Sequence, residues 1–140
     1  MAKRVLAMVV LAVTVFSVGT AVLAEDVFFK GEKLVSDVAP YFDLEAGVLR
    51  VPLRVVAEAA GGAVMYDEET ETVTMIFPGE ESMIVVTQIG NSKLFIGSDI
   101  FELADAPVEV NGRTMVTGEF FSRMNWEVML EGGTDVYLNY

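Results

Sequence analysis

Residues 51–67 read Val51-Pro52-Leu53-Arg54-Val55-Val56-Ala57-Glu58-Ala59-Ala60-Gly61-Gly62-Ala63-Val64-Met65-Tyr66-Asp67, and this stretch decides the architecture. Pro52 fits the first position of a helix, where a missing N–H costs nothing. Leu53, Val56, Ala57 and Ala60 fall at i, i+3, i+4 and i+7 and form one apolar stripe. Arg54 and Glu58 stand four apart on the other face, the spacing of an exposed ion pair of small energetic weight. Gly61-Gly62 stops the helix, because glycine accepts the left-handed cap conformation. Residues 63–66 and 72–77 then flank the acidic turn Asp67-Glu68-Glu69-Thr70-Glu71. Val73, Met75 and Phe77 alternate with Thr72, Thr74 and Ile76, the period-two pattern of a half-buried strand. The segment is therefore helix followed by hairpin.

The same order of features returns 64 to 67 residues later. Phe29-Lys30-Gly31 answers to Phe95-Ile96-Gly97, Ala39-Pro40 to Ala106-Pro107, Val51 to Val116, and Val64-Met65 to Val128-Met129. Identity is low, and the shared order carries the argument for two degenerate internal repeats at about 27–77 and 93–140. Each begins with a short strand pair, 27–29 with 33–35 and 93–96 with 100–103. In the second, 108–110 and 113–115 flank Asn111-Gly112, which suits a two-residue hairpin because both residues tolerate positive φ. The second helix spans 119–124, with Thr117 in place of the proline. A hairpin of 126–130 and 134–138 closes it, and 83–88 supplies one more strand between the halves. The only linker is Pro78-Gly79-Glu80-Glu81. The reading is a single α+β domain with a twisted antiparallel sheet and two short helices.

Composition removes whole classes of function. The chain has 140 residues with 9 bases, 21 acids, no His and no Cys. Disulfides, zinc–thiolate sites, cysteine nucleophiles, Ser-His-Asp triads and His-ligated copper or iron sites are all excluded. The acid excess excludes nucleic acid as a partner, since phosphate contacts need a basic surface. At 53% hydrophobic the chain is no disordered acidic tail.

Residues 1–24 form an address. Lys3 and Arg4 precede an apolar run from Val5 to Val18, and Val22-Leu23-Ala24 places small residues at −3 and −1 of a cleavage point before Glu25. Left uncleaved, 5–24 is just long enough to span a bilayer and would be the chain's membrane anchor. Cleavage removes two of the 9 bases and no acid, shifting the formal charge from −12 to −14. The mature domain, 25–140, is expected to be secreted or extracytoplasmic and associated with the cell envelope.

Val51-Pro52-Leu53-Arg54-Val55-Val56-Ala57-Glu58-Ala59, with Gly61 and Val64-Met65-Tyr66-Asp67 behind it, resembles the copper amine oxidase N-terminal domain family, also called the stalk-like domain. So does Asn111-Gly112-Arg113-Thr114-Met115-Val116. The two halves keep different parts of the family's run: the first lacks Asn-Gly-Arg, and the second departs at Thr117-Gly118-Glu119. The resemblance covers roughly 27–140. It implies antiparallel sheet curled around a helix in exported or surface-attached bacterial proteins. It does not imply amine oxidation, which belongs to a separate catalytic domain with histidine-held copper and a tyrosine-derived quinone.

Candidate contacts for a ligand or partner are few. Tyr41 and Phe42 follow Pro40 in a loop-like stretch and form an exposed patch or a lid over the sheet. Arg54 and Arg113 are rare cations in an acidic chain, serving either anion contacts or structural forks to carboxylates and carbonyls. Trp126, with Tyr66, Tyr137, Phe120 and Phe121, offers an aromatic platform for sugar rings, against the commoner role of strand aromatics as core. The acidic turn 67–71 offers oxygen ligands to calcium but lacks the alternating acids of an EF-hand loop, and a solvated turn is the plainer assignment. No catalytic, cofactor-binding or metal residue is assigned. The expectation is a non-catalytic structural or binding module whose partner is a cell-envelope protein or wall polymer. A glycan-binding module and a carboxylate-dependent hydrolase are the alternatives, and sheet edges offer a route to a homodimer.

Overall fold

The computed structural model describes residues 21–23, 26–79, 82–131 and 135–140. The proposed cleavage point after Ala24 and most of the leader lie outside the described residues, as do Glu80-Glu81 of the linker and the last hairpin's turn. The chain runs β1 (Ala21–Leu23), β2 (Val27–Phe29), β3 (Glu32–Leu34), β4 (Tyr41–Asp43), β5 (Val48–Pro52), α1 (Leu53–Ala59), β6 (Ala63–Asp67), β7 (Thr72–Phe77), β8 (Met83–Gln88), β9 (Asn91–Ile96) and β10 (Asp99–Glu102). It continues through β11 (Val108–Val110), β12 (Arg113–Thr117), α2 (Gly118–Arg123), β13 (Glu127–Glu131) and β14 (Asp135–Asn139). This is the expected α+β architecture with two short helices, divided into three sheets.

The central sheet has the order β1-β4-β5-β12-β11. Its middle pair joins the two halves: β5 and β12 run antiparallel with Val51 opposite Val116. Each of these strands runs straight into a helix. Pro52 closes β5 with φ −66 and ψ 124 and serves as the N-cap of α1, one residue earlier than its expected place inside the helix. The Asn111-Gly112 turn has φ of 49 and 77, the two positive values that a type I′ hairpin needs.

The second sheet, β10-β9-β8-β7-β6, is an antiparallel meander built by the middle of the chain. The third, β13-β14-β2-β3, contains an arrangement that local pattern does not announce. β14 lies parallel to β2, with Val136 opposite Val27 and Leu138 opposite Phe29, so the last strand is paired to one of the first. Lys30 N–H donates to Leu138 O at 2.9 Å and Val136 N–H to Asp26 O at 2.9 Å, extending this seam at both ends.

The core lies between the sheets and the helices. Leu53, Val56 and Ala57 of α1 are buried, as their spacing predicts, and so are Phe120 and Phe121 of α2. In β7, Val73, Met75 and Phe77 point inward while their neighbours are half-buried. Trp126, 7% exposed, sits at the centre of an aromatic group: Phe121 is stacked on it at 5.5 Å, and Phe29, Tyr140 and Phe77 lie within 5.4 to 5.9 Å.

Tyr41 and Phe42 are not loop residues. They form β4, which pairs with β5 through a turn that the sequence does encode: the Asp43 carboxylate accepts from the N–H groups of Glu45 and Ala46, and Gly47 (φ 73) closes it.

Candidate functional site

Two of the expected contact residues meet on one surface. Arg54 leaves the first turn of α1 and Arg113 opens β12 after the Asn111-Gly112 turn. Both line a cavity of about 220 Å³. Its apolar wall is Leu53, Val64 and Val73. Its polar rim adds Tyr66 from β6, Glu109 from β11, and Thr114. A second depression, about 330 Å³, lies on the other side of the same arginines and is bounded by Val35, Asp37, Pro52 and Glu58. The two arginines therefore form a divide between neighbouring hollows.

Their electrostatic situations differ. Arg113 is committed: its Nε and Nη2 donate to the two oxygens of Asp37 at 2.9 and 2.8 Å, a fork-to-fork pair. That bond holds the Asp37 carboxyl below its usual range and raises the arginine further. Arg54 does not reach Glu58. Its Nη2 donates to Val64 O at a long 3.5 Å, and it makes no ion pair among the described residues. The helix places Glu58 beside the second hollow, while Arg54 leans across the helix end toward β6. Partial burial of the Tyr66 ring, and then the charge of Glu109 and the acidic turn, raise the Tyr66 hydroxyl and keep it a hydrogen-bond donor. The cavity thus offers one weakly engaged cation, hydroxyl donors at Tyr66 and Thr114, and one carboxylate. That set has the charge and hydrogen-bonding capacity to hold a small polar or anionic group.

Tyr41 and Phe42 lie elsewhere, on the central sheet, and there the structure holds a residue that sequence reasoning passed over. Arg50, 5% exposed, stands between Tyr41 and Thr117 in cross-strand register. Its Nη1 donates to Ala106 O at 3.1 Å and its Nη2 to Asp43 at 3.4 Å. The Asp43 carboxyl is lowered first by the N–H of Ala46, with Arg50 adding to the effect. Burial raises the Tyr41 hydroxyl, against the pull of Arg50. A single arginine in a Val-Leu-Arg-Val strand has the alternation of an outward residue. It keeps that alternation, on the face opposite Val51, and is buried there with its guanidinium on a carbonyl far along the chain, for which no local signal exists.

The aromatic platform is not assembled. Trp126, Phe120 and Phe121 are buried. Tyr66 faces the arginine cavity, and Tyr137 lies on the third sheet with its ring stacked on Phe28 at 4.6 Å. In the acidic turn, the Asp67 carboxylate accepts from the N–H groups of Glu69 and Thr70 and so shapes its own loop.

Comparison with protein families matches residues 28–138 to the copper amine oxidase N-terminal domain. No curated protein and no solved structure matches the chain. The residues do not fit copper: the sequence has neither imidazole nor thiolate, and among the described residues no three carboxylates gather as a metal site. The matched span runs from β2 to β14, across the parallel seam that closes the fold. The chain therefore belongs to the copper amine oxidase N-terminal domain family, a module separate from the catalytic domain.

Proposed function

We propose that this chain is a non-catalytic, exported module that acts as a structural or binding domain at the cell envelope. The observation that carries the reading is the cavity between α1 and the β11–β12 hairpin. Its polar groups are a cation, hydroxyls and a single carboxylate, an assembly for holding a group rather than for moving protons, which needs an acid and a base placed on one substrate. The leader-like segment 1–24 and the family's separation from catalytic domains support the same reading. Among the described residues no helix is long and apolar enough to cross a membrane.

The test is a pull-down of the purified chain with isolated cell-wall sacculi and with membrane extract, at low and moderate salt. Capture by sacculi, lost in Arg54→Ala, identifies a wall-polymer module that uses this cavity. Capture only by a protein of the extract identifies an assembly module. Absence of binding to both overturns the binding role.

A further inference from the structure

The outer face of the second sheet carries an apolar surface that no other described element covers. Register places Met65, Thr74, Val86, Phe95 and Ile100 side by side in one row across all five strands. Ile76 and Ile84 are neighbours in the adjoining row. Ile100 is 61% exposed, Met65 51%, Ile84 47% and Phe95 38%, whereas the alternate residues of the same strands, such as Met75, Val85 and Leu94, are fully buried. Isolated exposed apolar residues are ordinary, but a contiguous set on one sheet face marks a contact surface.

Charge identifies the occupant. Residues 63–102, which contain this sheet, hold eight acids and one base, Lys93. Asp67 and Glu102 stand on the face itself beside the apolar row, Glu102 directly opposite Lys93; the acidic turn 67–71 rims one end, and Asp99 lies at the other. A second copy would bring like charge against like. It would also gain little area: five strands at about 4.8 Å spacing and about five residues deep give a plane of roughly 400 Å², about half of the roughly 800 Å² per partner in a standard interface.

We infer that this face docks a basic amphipathic helix of a partner protein, with the apolar stripe lying along the Met65–Ile100 row and Lys or Arg flanks meeting the acidic rim. About 16 helical residues span the width of the row. The inference deepens the binding role proposed above by naming the kind of partner.

Two synthetic helical peptides of equal length and equal apolar stripe, one flanked by Lys and one by Glu, test it by calorimetric titration into the full chain. The Lys peptide binds, and its affinity falls about tenfold or more between roughly 0.05 and 0.3 M salt as the rim is screened. The Glu peptide does not bind. Phe95→Asp and Ile100→Asp, both at exposed positions and checked for folding by circular dichroism, weaken the Lys peptide about tenfold despite adding negative charge. Glu68→Gln combined with Glu69→Gln weakens it and flattens the salt dependence. Equal binding of both peptides, no binding of either, or unchanged affinity in Phe95→Asp overturns the inference. So does a concentration-dependent dimer at high salt that Phe95→Asp dissolves, which assigns the face to a second copy. A chain that takes the Lys peptide but ignores sacculi and extract keeps this surface and loses the envelope reading.

Discussion

Both helices end on the same hydrogen-bond pair, and the residue placed just beyond it differs. After α1, Gly61 N–H donates to Glu58 O and Gly62 N–H to Ala57 O. After α2, Asn125 N–H donates to Ser122 O and Trp126 N–H to Phe121 O. Each is the double closure that satisfies the last carbonyls of a helix, with its left-handed residue at Gly61 (φ 87) or Asn125 (φ 66). The next position is empty of side chain in the first case and holds the largest side chain in the second. At Gly62 the vacancy seats the ring of Phe77: a Cβ there would lie 2.7 Å from Phe77 Cε1 and 3.0 Å from Ala57 O. At Trp126 the indole stacks back on Phe121 of its own helix and meets Phe77 edge-on at 5.9 Å. One helix end makes room and the other fills it, so a shared backbone device serves both sides of a single aromatic joint.

The largest way to break this contrast is on the filling side. Trp126→Ala should cost about 3–5 kcal/mol, as removal of a core aromatic does. Val56→Ala in the first helix should cost less, since the two buried methyl groups lost represent about 1.6 kcal/mol of transfer free energy plus a small cavity. Urea denaturation of the two variants ranks them, and a larger loss at Val56 would show that the joint is not where stability concentrates.

Gly62→Ala comes next. The added methyl meets a carbonyl as well as a ring, so the ring alone cannot give way, and a loss of about 1–3 kcal/mol is expected. Gly118→Ala is the control. Its nearest neighbour would be Val128 Cγ1 at 3.3 Å, which shifts easily, and alanine suits a helix start better than glycine. Its melting temperature should hardly move.

The left-handed positions sharpen the comparison with opposite signs. Gly61 has open space around it, so Gly61→Ala isolates backbone strain and should destabilise by about 1–2 kcal/mol. Asn125→Gly relieves that strain and should stabilise by a few tenths up to about 1 kcal/mol. Thermal unfolding of the pair decides whether both caps are limited by the same conformation.

The smallest effect concerns acid. Asp37 has its pKa lowered by Arg113, so its stabilising contribution is complete above its ordinary value of 3.8 and is lost as pH falls below 3.8 through the folded value. The pair is exposed, so the loss is slight. Asp37→Asn should remove that part of the acid limb of a stability–pH profile and leave neutral pH nearly untouched.

What the sequence disclosed follows the range of each interaction. The stripe of α1, the alternation of β7 and the Asn111-Gly112 turn are written in neighbouring residues, and the structure places them as read. The Arg54–Glu58 pair, equally local, does not form, because a carbonyl of β6 lies within reach of the arginine. Tyr41-Phe42 was legible as a strand only through the Asp43–Gly47 turn behind it. Arg50 is buried against a carbonyl 56 positions away. Of the candidate site, Arg54 and Arg113 were visible as rare cations. Their shared cavity was not, since it depends on β5 lying beside β12. The parallel pairing of β14 with β2 had no signature at all, because neither short strand specifies its neighbour.

That last pairing sets the order in which the molecule can be completed. Helices, turns and the central meander join residues near in sequence and assemble from what has already emerged. β2 must wait for a strand at the opposite end of the chain, and closure of so long a loop is entropically slow. During synthesis, the edge of β2 and its inner face, Val27 and Phe29, therefore stay open until β14 arrives. The chain's last five-residue strand is its lock, and a truncation that removes only β14 should leave a nascent-like, unclosed protein rather than a slightly shorter one.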